Sequence, residues 1–85
     1  MYKVIITKQA DKALRKMSVN DSHRIHEKLA LLAQDPYAPN NNVIKLTNRV
    51  GYRLRVGDWR ILYDVIAEEV IIYVFKIAPR GGVYK

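Results

Sequence analysis

Gly51-Tyr52-Arg53-Leu54-Arg55-Val56-Gly57-Asp58-Trp59-Arg60-Ile61-Leu62-Tyr63 alternates apolar and basic side chains, turns at Gly57-Asp58, and alternates again. Alternation with period two marks strands with one packed face and one free face. Gly followed by Asp between two such runs fits a two-residue hairpin loop with Gly at its first central position. That loop sets the register: Val56 lies opposite Trp59, Arg55 opposite Arg60 and Leu54 opposite Ile61. Tyr52, Leu54, Val56, Trp59, Ile61 and Tyr63 then share one face. Arg53, Arg55 and Arg60 crowd the other. Like charges directly opposite each other in a sheet are destabilising. An Arg pair across the strands with a third Arg beside it therefore calls for an anionic partner.

The 85 residues suffice for one small domain, 1–85, with a thin stability margin. There are no cysteines, which removes disulfides and Cys-based zinc sites and fits a reducing cytoplasm. Lys3, Lys8 and Asp11 interrupt the N-terminus, so no signal peptide is expected. The longest apolar run, residues 70–75, is too short to span a bilayer. The net charge is +7. It is spread over both halves, with seven basic against four acidic residues in 1–42 and eight against four in 43–85. The concentration is local: Lys45, Arg49, Arg53, Arg55 and Arg60 fall within sixteen residues, opposed only by Asp58. Such a bias points to nucleic acid, an acidic membrane surface or an acidic protein.

Outward from the hairpin, residues 2–6 read as a first strand, and Thr7 as the cap of a helix whose apolar positions are Ala10, Ala13, Leu14 and Met17. Residues 18–21 break the pattern and offer a second cap. A second helix is predicted over residues 22–34, with Ile25, Leu29 and Leu32 as its stripe, ended by Asp35-Pro36. Residues 36–42 are loop, 43–46 a short strand, 66–69 a turn, and 70–77 a strand apolar at successive positions and so partly covered on both faces. Residues 78–82 form a corner. Helices followed by a run of strands indicate α+β. The expected arrangement is an N-terminal strand and two-helix hairpin packed on one face of a small, mostly antiparallel four-stranded sheet. The Arg face is left open.

Other constellations carry little. His23 and His26 stand three apart on a helix with no third ligand, so no metal site and no cofactor are expected. Gly81-Gly82 is too short to cradle a phosphate. The Arg cluster stands apart, because its sequence neighbours cannot neutralise it. Arg80 adds a fourth guanidinium at the end of the last strand, and Tyr84 follows four residues later. Arg suits phosphate because its planar fork donates two parallel hydrogen bonds. Several Arg beside a tyrosine fit a nucleic-acid site.

Lys45-Leu46, the block from Gly51 to Tyr63, and Pro79-Arg80-Gly81-Gly82-Val83-Tyr84 together resemble the RelE/ParE superfamily of small toxins from type II toxin–antitoxin pairs. The resemblance covers essentially the whole chain, and the central block is its specific part. The RelE branch implies an mRNA endonuclease working on the ribosome, against 16S rRNA in the A site. There the ribose 2′-hydroxyl attacks the adjacent phosphate and leaves a 2′,3′-cyclic phosphate without a metal. It implies that Arg53 and Arg55 lie beside the scissile phosphate and that Arg60 grips it. It further implies that Arg80 serves the transition state or leaving group and that Tyr84 orients the substrate base. Lys45, Arg49 and Lys85 are expected to bind RNA around them. Two basic positions that are often Lys in relatives are Arg here, and Pro79 stands where many carry His. Arg is not deprotonated in proteins, so the general base stays open among Tyr84, Lys45, Lys85 and a group of the RNA.

The resemblance also implies a cytoplasmic protein with a cognate acidic antitoxin as partner, operator DNA reached only through that complex, and no membrane. Two other functions compete: a ParE-like inhibitor of DNA gyrase, and a non-catalytic antitoxin-binding member. ParE-type chains are usually longer and lack the Arg/Tyr tail, so Arg80 and Tyr84 favour the RelE branch.

Overall fold

Residues 52–66 form the middle of the sheet. The computed structural model describes residues 1–82. Tyr84 and Lys85, two of the expected site residues, lie outside the described residues. The elements run β1 (Lys3–Ile6), α1 (Lys8–Lys16), α2 (Val19–Gln34), β2 (Val43–Lys45), β3 (Tyr52–Val56), β4 (Trp59–Ile66), a short 3-10 helix (Ala67–Glu69) and β5 (Ile71–Pro79). The architecture is α+β. The sheet has five strands in the order β1-β5-β4-β3-β2, one more than the expected four. The extra strand is β1. It joins the sheet in parallel beside β5, with Lys3 opposite Ile71 and Ile6 opposite Val74.

The hairpin adopts the register dictated by its loop: Val56 faces Trp59, Arg55 faces Arg60 and Leu54 faces Ile61. Gly57 takes φ +58, while Asp58 is not among the positive-φ residues. A positive φ at the first loop position alone is the signature of a type II′ turn, whose twist matches the strands it joins.

Each α-helix begins at a hydroxyl cap. The Thr7 Oγ1 accepts from the Ala10 amide at 3.3 Å and the Ser18 Oγ from the Asp21 amide at 3.1 Å. Since Ser18 caps the Asp21 amide in the first turn, α2 starts at Val19, ahead of the expected residue 22. It ends at Asp35, which is extended ahead of Pro36.

One face of the sheet meets both helices. Ala10 and Leu14 from α1, Ile25, Leu29 and Leu32 from α2, and Leu54, Val56, Ile61, Tyr63, Ile72, Val74 and Ile77 from the sheet form one buried cluster. Each fully buried aliphatic side chain there contributes about 1.5–3 kcal/mol. A smaller cluster of Leu62 and Ala78, packed with Leu46 and Phe75, lies outside that core. A bulge separates the two. Leu62 pairs with Lys76 but Tyr63 pairs with Val74, so Phe75 has no partner across the ladder. The slip turns Val74 and Ile77, three residues apart, to the same core. Ahead of the slip the strand alternates, with Ile72 and Val74 buried, Ile71 half-buried and Tyr73 exposed.

Tyr63 is fully buried, and its hydroxyl has no hydrogen-bond partner. Its ring stacks on Tyr52 with centroids 5.5 Å apart. Burial, and then Tyr52, push the phenol from 10.0 up to about 12. The folded state thus keeps a proton that the unfolded chain has lost, and stability falls as pH rises from 10.0 to about 12. Tyr63→Phe deletes an unsatisfied group and keeps the ring. It is expected to leave stability unchanged or raise it by up to about 1 kcal/mol, and to flatten that alkaline loss. Thermal melts at neutral and alkaline pH check both. A clear fall in melting temperature at neutral pH would count against the assignment.

Candidate functional site

The hairpin tip gathers the cations. Arg55 and Arg60 are cross-strand partners at the last pair before Val56 and Trp59 close on the loop. Two local devices hold them apart. The Arg55 guanidinium donates to the Asn42 side-chain oxygen, through Nη2 at 2.8 Å and Nε at 3.3 Å. Arg60 curls over the turn and donates from Nη1 to the carbonyls of Gly57 at 2.9 Å and Trp59 at 3.0 Å. Partial burial, then the repulsion of Arg53, Arg55 and Arg80, lower the Arg60 pKa below its ordinary value, with Asp58 opposing. The guanidinium stays charged at any physiological pH. The repulsive part of that shift is what an anion bound here would relieve.

Arg80 arrives from the far end of β5. Beside it, Trp59 pairs with Pro79 and Arg60 with Ala78, and the Arg80 amide donates to the Asp58 carbonyl at 2.7 Å. The other edge of β5 is open at this point, because β1 stops at Ile6. Gln9 fills the gap. Its side-chain amide donates to the Ile77 carbonyl at 3.2 Å and accepts from the Ile77 amide at 3.1 Å, in place of a strand. The end of β5 is therefore fixed on both sides, and with it the start of Arg80.

Arg55, Arg60 and Arg80 line one open cleft of about 550 Å³ with Asn42, Val56, Gly57, Asp58, Arg24 and Lys28. Asp58 is the only acid among these lining residues. Arg24 and Lys28 come from the exposed side of α2, and nothing in the period-two reading of the hairpin pointed to them. Their signal was in the sequence: they stand at i and i+4, on the flank of α2 beside the stripe of Ile25, Leu29 and Leu32. What placed that helix beside the tip was tertiary. Trp59 Nε1 donates to Asp21 Oδ2 at 3.0 Å and ties the hairpin to the first turn of α2.

The other expected residues lie elsewhere. Arg53 pairs with Leu62 one step along the sheet from Arg55 and is close enough to depress Arg60, but it does not line the cleft. Lys45 lies opposite Tyr52, a register position on the helix-bearing face, whereas Ile44 lies opposite Arg53. Arg49 places its guanidinium carbon 4.0 Å from the centre of the Phe75 ring, a cation–π contact. His23 and His26 are exposed. No group of three or more potential metal ligands occurs among the described residues. No helix among them is long and apolar enough to cross a membrane.

Chemically, the tip offers fixed, preoriented cations with an open approach. Cations held in place by the fold stabilise developing negative charge without reorganising. Their forks match a phosphodiester better than a point charge would.

Residues 4–84 match the family model described as the ParE toxin of type II toxin–antitoxin system, parDE. No curated protein matches the sequence significantly. Among solved structures, the archaeal RelE of the RelE–RelB complex from Pyrococcus horikoshii is similar, at 30% identity and TM-score 0.79. The match covers 96% of this chain and 98% of that one. A mutant E. coli RelE toxin in complex with an antitoxin RelB peptide is 26% identical with TM-score 0.73, over 98% and 90% of the two chains. The intact E. coli RelBE complex shares the fold at TM-score 0.80 and 23% identity, over 93% and 96%.

Proposed function

Because the chain belongs to the RelE/ParE superfamily of toxins of type II toxin–antitoxin systems, we propose that it is a ribosome-dependent endonuclease that cuts mRNA in the A site and stops translation. The observation that carries this reading is the convergence of Arg55, Arg60 and Arg80 on one cleft at the hairpin tip. In the proposed reaction the 2′-oxygen of a ribose attacks the adjacent phosphorus. The bond to the 5′ oxygen breaks, leaving a 2′,3′-cyclic phosphate and a 5′-hydroxyl. The nucleophile is supplied by the RNA itself, so the chain's task is charge and orientation.

Arg60, held by two turn carbonyls, is the grip on the scissile phosphate. Arg55, steadied by Asn42, and Arg80, fixed through Asp58 and Gln9, flank it and stabilise the pentacoordinate intermediate. Arg53 adds to the field from the next position. Lys45, on the other side of the sheet, is a poor candidate for the base. That leaves Tyr84, Lys85 or the RNA, with Tyr84 also proposed to orient the base of the substrate.

The proposed partner is an acidic antitoxin that covers these cations. A +7 chain would draw it in quickly through charge complementarity. Operator DNA would be reached only through that complex. Site of action and partner alike would be cytoplasmic.

Induced expression followed by primer extension on abundant messages tests the reading. New 5′ ends within translated codons are expected, and co-expression of the antitoxin should remove them. The family model that matches is a ParE model, which favours a second reading, inhibition of DNA gyrase. DNA damage without new mRNA ends would select that reading and sink the first.

A further inference from the structure

The cleft is larger than three guanidinium groups around one phosphate require. It is an open, polar depression of about 550 Å³. Its far wall is α2. Arg24 lies against the turn: a methyl group at Gly57 would sit 3.5 Å from each terminal guanidinium nitrogen of Arg24. Lys28 stands one helical turn further on and lines the same space. Two acids stand at helical spacing from Arg24, Asp21 and Glu27, and Asp21 is engaged with the Trp59 indole. Arg55 and Arg60 belong to the sheet face away from the helices, while Arg24 and Lys28 belong to a helix packed on the opposite face. Their meeting in one cleft means that the cationic surface continues around the hairpin tip, from the open sheet face to α2.

Building on the nuclease reading above, we infer that Arg24 and Lys28 form a second phosphate subsite, which holds the RNA backbone next to the scissile phosphate. The hairpin tip is then a saddle. One phosphate sits on Arg60 and its neighbours, and the strand bends over Gly57 onto α2. Contacts of this kind go to the backbone and carry no base readout, so they add affinity and register without sequence preference.

A short single-stranded oligonucleotide lacking 2′-hydroxyls cannot be cut, and it serves as the probe for titrations at several salt concentrations. Each phosphate neutralised on a single strand contributes about 0.7 to the slope of log K against log salt. The double variant Arg24→Gln/Lys28→Gln is expected to lose about 1.4 from that slope and to bind on the order of tenfold more weakly. Lys28→Gln alone, which leaves the Arg24 contact with the turn in place, should lose about half as much slope. Lys12→Gln/Lys16→Gln on α1 removes the same net charge away from the cleft and should retain the wild-type slope. An unchanged slope in the α2 double variant, with binding weakened by Arg60→Gln, overturns the subsite and leaves the nuclease reading standing. An equal loss in the α1 variant overturns it as well, since the effect would then be net charge alone. Failure of the wild-type chain to bind the probe at low salt also overturns the subsite, while the ribosome-dependent reading stands or falls on the mRNA ends found by primer extension.

Discussion

Arg60→Ala is expected to slow cleavage of mRNA on programmed ribosomes by about 10²–10³-fold, the usual cost of removing one preoriented group from a developing oxyanion. The loss should fall on the rate of the chemical step more than on binding, because Arg55 and Arg80 still line the cleft. The folded state should survive intact. Arg60 is only partly buried and its guanidinium donates to two turn carbonyls, while its removal relieves repulsion with Arg53, Arg55 and Arg80. Melting temperature is therefore expected to hold or rise as activity falls, the pattern of a residue kept for function at some cost in stability. Arg60→Lys keeps the charge but loses the fork and should fall between the two. Single-turnover cleavage and thermal melts on the same preparations make the comparison. A wild-type cleavage rate in Arg60→Ala would remove the phosphate grip from the scheme.

Gly51→Ala acts on the scaffold. Gly51 is buried with φ +130, where L side chains are strained, and an added Cβ would sit 2.7 Å from the Tyr63 carbonyl. That neighbour is backbone of the central strand β4 and cannot step aside. The Gly51 carbonyl also accepts from the Leu46 amide at 2.9 Å, closing the turn between β2 and β3. A loss of about 2–4 kcal/mol is expected from the strained φ and the contact together. In a domain this small that lowers the melting temperature by roughly 10–25 °C. Denaturant or thermal unfolding measures it. A melting temperature within a few degrees of wild type would mean that the loop relaxes and that Gly51 is not demanded by its backbone.

The hairpin was legible in detail because its information is local. Period-two alternation assigns the faces, and a two-residue Gly-Asp loop leaves only one register, so Arg55 opposite Arg60 followed without any tertiary knowledge. The helix caps were readable for the same reason, although Ser18 rather than a later residue did the capping of α2. The strand count was not. Whether residues 3–6 pair with the sheet depends on what lies beside β5, and parallel pairing leaves no turn signature in the chain. Nor was the bulge at Phe75, which appears in sequence only as an apolar run that fails to alternate.

The candidate site divides along the same line. The clash of Arg53, Arg55 and Arg60 on one face is a property of alternation and turn length alone. Its completion depends on contacts between residues far apart in the chain. Gln9 holds Ile77 and so delivers Arg80 to the tip; Asp21 holds Trp59 and so delivers Arg24 and Lys28. Hydrogen bonds and packing of that kind join residues 38 and 68 positions apart. No local periodicity encodes them, because they are settled by which faces are buried together once the chain has collapsed.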